Sequence, residues 1–133
     1  MDGDRVVNTW KTPTLLPWRY GFASGGTPPV RIGALYWSFF HSYRVFAPAR
    51  RRYYMGAYAF DAEPPFAVRH VSRTPLLAGT DAHPLALWQH RVVFPAGALF
   101  DAATDEWLVT LGVNDCRCAW MKIPHRELQA SVA

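Results

Sequence analysis

The sequence predicts an all-β fold: a partial β-propeller of two to three blades built from antiparallel strands. Three observations point there. First, one strand plan occurs twice. Each copy opens on a Gly/Pro-rich turn, Gly25-Gly26-Thr27-Pro28-Pro29 and then Phe94-Pro95-Ala96-Gly97. A short apolar strand and a tight turn follow, and then a strand carrying Trp37 or Trp107 that finishes on polar residues, His41 or Asn114-Asp115. A third strand completes each copy. Strand units repeated down a chain are the mark of a propeller. Second, 11 prolines and 9 glycines in 133 residues leave no room for a long helix. Third, half of the residues are hydrophobic and 15% are aromatic, which suits sheets packed on sheets and argues against disorder.

Residues 1–24 form an irregular N-terminal arm, with one weak strand signal over residues 5–10. The propeller part covers 25–133. Its first blade, about 27–73, takes strands at 30–32, 35–43, 53–61 and 66–71. In the second of these, Leu35, Trp37, Phe39 and His41 alternate with Tyr36, Ser38 and Phe40. Both faces are apolar, which indicates a strand held between two layers. A linker at 74–90 carries a helical-turn signal after Asp81, although Pro84 lies inside it. The second blade, about 91–123, takes strands at 91–100, 106–113 and 116–123. A short helix closes the chain at 124–130, with Pro124 in its first turn.

Propeller blades run to roughly 40–50 residues and rings close with about four to eight. A chain this short therefore leaves sheet faces and edges open. The expectation is self-association, or a larger parent chain that completes the ring.

The formal charge is +4. The surplus is concentrated at Arg44 and at Arg50-Arg51-Arg52, expected in a solvated loop between two strands. No nucleic-acid recognition motif accompanies the run, so no nucleic-acid partner is expected. Cys116 and Cys118, the only cysteines, would lie two apart on one strand face. That spacing is poor for a disulfide and weak for a metal site. Both are expected to be reduced, half-buried packing residues. Neither metal nor cofactor is expected, and no segment has the length or composition of a signal peptide or membrane span. A cytoplasmic location without a membrane partner follows.

Several motifs together resemble glycoside hydrolase family 130. They are Gly25-Gly26-Thr27-Pro28-Pro29-Val30-Arg31, the strand ending Phe40-His41, Tyr54-Met55-Gly56-Ala57-Tyr58 with Phe60-Asp61, Val92-Val93-Phe94-Pro95 with Gly97, and Gly112-Val113-Asn114-Asp115. The family consists of five-bladed propellers acting on β-mannosides as phosphorylases or hydrolases. The second half of the match also resembles propellers that accompany glycosyltransferases. The likeness spans about 25–123 and corresponds to the C-terminal part of a family member.

The resemblance implies a sugar-facing half-site. His41 matches a histidine that contacts phosphate in the phosphorylases, and Asp115 matches an aspartate that contacts sugar. The family's general acid lies on an earlier blade, outside this chain. Near Phe22, where the phosphorylases place a phosphate-holding lysine, no lysine stands, and Lys11 is too far upstream. Transfer of a mannosyl unit to water is then the implied chemistry, and only once the missing blades are supplied.

Taken as residues alone, the same positions carry plainer readings. His41 suits an aromatic core, and Asn114-Asp115 is ordinary turn chemistry. Arg31 suits a solvated strand edge, although an arginine can clamp a sugar or phosphate oxygen. Asp61 and Glu63 flank a Pro-Pro turn. An inverting glycosidase needs two carboxyls about 6.5–9.5 Å apart, and nothing in the sequence sets Asp61 or Glu63 opposite Asp115. The catalytic residues are unknown. The candidate substrate-binding residues are Arg31, His41, Asn114 and Asp115, with a mannose-containing glycan as ligand. The rival reading is a non-catalytic carbohydrate-binding or scaffold propeller associated with a glycosyltransferase, in which aromatic residues such as Trp37, Tyr58 and Trp107 stack on sugars.

Overall fold

The computed structural model describes residues 8–11, 16–48, 50–80 and 91–133. The described residues are all-β apart from one short helix, in two antiparallel sheets, and form a partial propeller-like piece rather than a closed ring. The first sheet holds β1 (Ser24–Gly26), β2 (Val30–Ile32), β3 (Leu35–Ala47), β4 (Arg50–Asp61), β5 (Val68–Val71) and β6 (Leu77–Ala78). The long strands β3 and β4 are its spine. β1 and β2 pair with the free side of β3, while β5 and β6 pair with β4. The second sheet is the meander β7 (Val93–Asp101), β8 (Glu106–Val113) and β9 (Arg117–Pro124), followed by α1 (His125–Ser131).

The two sheets pack face to face. Trp37, Phe39, Met55, Ala57 and Ala59 meet Val93, Trp107, Val109, Leu111 and Ile123, and Leu128 and Val132 close one end. Alternation along the strands decides which side chains enter this layer. Ala57 and Ala59 leave the room that lets Phe39 and Trp107 meet edge to face, with ring centroids 5.4 Å apart. The C-terminus ties the layers together, since Val71 and Ala133 exchange backbone hydrogen bonds of 3.1 Å. On the other face of β3–β4, Trp18 from the arm packs edge-on against Phe40, and its indole N–H donates to the Ser42 hydroxyl at 2.8 Å.

Several expectations are corrected. Arg50, Arg51 and Arg52 do not form a loop. They open β4, whose pairing with β3 continues out to Ala47 opposite Arg50. The extension holds because aromatic rings receive the arginines: Arg51 lies over Tyr43 at 4.7 Å and Arg52 over Tyr54 at 5.9 Å. Cys116 and Cys118 are free but both exposed rather than half-buried, because Cys116 falls in the turn and Cys118 faces outward from the edge strand β9. Gly25-Gly26, expected in a turn, and Ser24 of the arm form a short strand paired with β3. Part of the expected linker, Leu77–Ala78, pairs with β4. Pro124 precedes α1 as its N-cap residue instead of standing in the first turn. Of the strand signal at 5–10, residues 8–10 have no regular structure and the remainder lies outside the described residues, as does the helical turn after Asp81.

Candidate functional site

His41 sits on β3 facing the second sheet. Its ring stacks near Tyr53, with centroids 6.0 Å apart and planes at 16°, and meets Phe94 of β7 at 4.6 Å. Its Nδ1 lies 2.5 Å from the Gly25 carbonyl. A carbonyl can only accept, so Nδ1 carries the proton, and in the neutral ring Nε2 is left as an acceptor. Gly26 allows this approach, because a Cβ there would stand 2.1 Å from the Phe39 carbonyl oxygen. Gly26 is thus what lets β1 come close enough to hold His41.

The Asn114-Asp115 turn lies at the same end of the sheets. Arg91 pairs with the β4 edge, its carbonyl accepting from Tyr53 N–H at 2.9 Å. The next residue, Val92, donates its N–H to Asn114 Oδ1 at 2.9 Å, and Asn114 returns its own N–H to the Val92 carbonyl at 3.1 Å. Phe94 then pairs opposite Gly112 while touching His41. Asn114 and Asp115 both adopt positive φ, 50° and 54°, and Cys116 N–H closes the turn on the Val113 carbonyl at 3.2 Å. Two consecutive left-handed residues are what a type I′ turn requires, and Asn and Asp tolerate them best. Asn114 is buried and structural in this arrangement, whereas Asp115 is exposed.

Arg31 is not part of this cluster. It pairs opposite Tyr36, five positions along β3 from His41. Its Nε donates to the Gly33 carbonyl at 3.2 Å, and its guanidinium lies 3.8 Å from Glu63. Asp61 accepts hydrogen bonds from Nε and Nη2 of Arg69, the shortest 2.6 Å, and these hold its carboxyl below the usual carboxylate range. A carboxyl held ionised in this way is a poor proton donor. Tyr53 and Phe94, which frame His41, were not singled out from sequence. Phe94 stands in the repeated opening motif, so its signal was present; Tyr53 is one tyrosine among many and carried none.

Two cavities lie elsewhere. One of ≈ 450 Å³ is lined by Leu99, Asp101, Leu108 and Lys122 among others, and one of ≈ 350 Å³ by Leu35, Trp37, His70 and Gln129 among others. Neither includes His41 or Asp115. Among the described residues no three His, Cys, Asp or Glu gather to hold a metal, and no helix is long and apolar enough to cross a membrane.

No family model and no curated protein matches the chain. Among solved structures it is similar to a β-1,2-mannobiose phosphorylase from Listeria innocua, determined in complex with β-1,2-mannobiose. The TM-score is 0.69 at 24% identity, over 88% of this chain and 32% of that one. The chain thus has the fold of about a third of that phosphorylase, and the resemblance read from its motifs holds at the level of fold.

Proposed function

We propose that the chain is a mannoside-binding portion of a propeller, in which His41 and Asp115 face one sugar. The observation that carries this reading is the continuous path from the His41 ring through Phe94 to Gly112 and on to the Asn114-Asp115 turn. It supports a histidine acceptor and a carboxylate at one end of the paired sheets, flanked by the aromatic rings of Tyr53 and Phe94 that could stack on a sugar face. Asn114 supports the site by positioning Asp115. Arg31 contributes nothing on this reading, being committed to Gly33 and Glu63. Hydrolysis of a mannoside would need the blades that lie beyond a third of the phosphorylase's length.

A second reading is favoured by the state of the carboxylates. Asp61 and Glu63 are both paired with arginines at the other end of β3–β4, so neither complements Asp115 as an acid–base partner. On that reading the chain binds glycan without cleaving it, as a recognition or scaffold propeller serving a glycosyltransferase.

Isothermal titration with β-1,2-mannobiose and longer mannose oligosaccharides tests the site. Asp115→Asn is the informative variant, because asparagine tolerates the left-handed backbone that alanine would strain. Loss of a charged acceptor should weaken binding by about 1.5–3 kcal/mol. Equal binding by both proteins, or none by either, leaves only the turn. Release of mannose by the wild-type chain would sink the binding-only reading.

A further inference from the structure

We propose that the free end of the β3–β4 hairpin docks on an anionic lipid surface, with an apolar tip entering the headgroup layer and a collar of arginines meeting the lipid phosphates. At the tip, Val45 and Phe46 are 62% and 52% exposed, and Ala47 and Pro48 follow them. Immediately below, Arg44 stands directly opposite Arg52 across the ladder. Like charges so placed repel one another. Strand alternation puts these two on one face of the hairpin, while Arg51, opposite Val45, points to the other face, and Arg50 pairs with Ala47. Cations therefore surround the tip on both faces.

Arg44 and Arg52 lie in a stretch of sequence without acidic residues. Between residues 8 and 60 the sequence contains no Asp or Glu, while Lys11 and Arg19 add further positive charge. Arg44 donates to the Arg19 carbonyl and lies over the Tyr20 ring, and Arg52 donates to the Gly79 carbonyl at 3.2 Å. Those partners are neutral, so an arriving anion would relieve the Arg44–Arg52 repulsion.

The arrangement favours a lipid surface over a nucleic-acid strand. A single strand needs open ring faces to stack on. Here the rings of Tyr20, Tyr43 and Tyr54 lie beneath Arg44, Arg51 and Arg52. A collar around a protruding apolar tip also matches a plane lying across the hairpin better than it matches a groove. The earlier expectation of no membrane partner rested on the lack of a spanning segment, which surface docking does not require.

The test is flotation of the full chain with vesicles of phosphatidylcholine alone or containing phosphatidylserine. Flotation separates bound protein from aggregate. Binding should require phosphatidylserine and fall with added salt. Arg44→Gln with Arg52→Gln should weaken partitioning about thirty-fold, at about five-fold per cation. Val45→Ser with Phe46→Ser should weaken it too, with an unchanged circular dichroism spectrum. If a double variant does not fold, Arg50→Gln alone should still lower binding about five-fold. No flotation, equal flotation with both vesicle types, folded variants that float like the wild type, or capture of a single-stranded oligonucleotide in place of vesicles would each overturn the proposal.

Discussion

The indole N–H of Trp107 donates to Nδ1 of His125 at 3.0 Å inside the protein. This bond fastens the start of β8 to the start of α1, and Trp37 of the other sheet meets the same imidazole edge-on at 5.1 Å. His125 is thus where both sheets and the helix come together. Because Nδ1 accepts, the ring is neutral with its proton on Nε2. Burial lowers its affinity for a proton, opposed in part by the Asp105 carboxylate.

That direction sets a pH dependence. With the folded value below the ordinary 6.5, the unfolded chain binds a proton first as the medium is acidified. Stability should therefore fall as pH drops through about 6.5 and level off below the depressed folded value. Thermal melts between pH 7.5 and pH 5, at about half-unit steps across the histidine range, should show the loss in wild type and a smaller loss in His125→Gln. An identical pH profile in the two proteins would count against it.

Trp107→Phe keeps most of the apolar volume but removes the donor. His125 Nδ1 is then buried without a partner, at a cost of about 1–3 kcal/mol. Urea denaturation should report this as a lower midpoint with an unchanged slope.

Asn114→Ala removes the acceptor for the Val92 N–H and puts an unsuited residue at positive φ. The expected destabilisation is about 1–3 kcal/mol for the buried bond. Asp115→Gly, at the exposed neighbouring position, should leave stability unchanged or slightly raised. The two midpoints moving together would show that the turn does not depend on the Asn114 side chain.

Gly26→Ala should destabilise by about 1–3 kcal/mol or more, because the new methyl meets the Phe39 carbonyl rather than a yielding side chain. It should also disturb the contact from His41 to Gly25. A histidine resonance that shifts in this variant, followed by NMR, checks the second half of the statement.

The outward face of β7–β9 carries Leu99 at 70% exposure and Trp120 at 67%. An apolar sheet face of this kind drives association. Light scattering at micromolar protein should show species larger than a monomer, and Leu99→Lys with Trp120→Lys should reduce them. A monodisperse wild-type monomer would contradict the expectation.

Local pattern was enough for much of the fold. The 2-residue period around Trp37 and Trp107, and the Gly/Pro punctuation between the strands, located β2, β3, β7 and β8, since alternation and turn chemistry act between residues near in sequence. The Asn-Asp step was legible as a turn for the same reason. The structure decided the reach of the β3–β4 hairpin, because the Arg50–Arg52 run reads as a loop until Tyr43 across the ladder and Tyr54 on β4 supply rings for Arg51 and Arg52. It also decided that Arg31 stands apart from His41, and that Tyr53 and Phe94 frame that histidine. Most of all it decided the role of His125, which in sequence is one polar residue in a terminal helix. Its burial depends on Trp37, 88 positions earlier, and on Trp107 in the other sheet. Contacts of that separation arise only when sheets pack, so no local period encodes them.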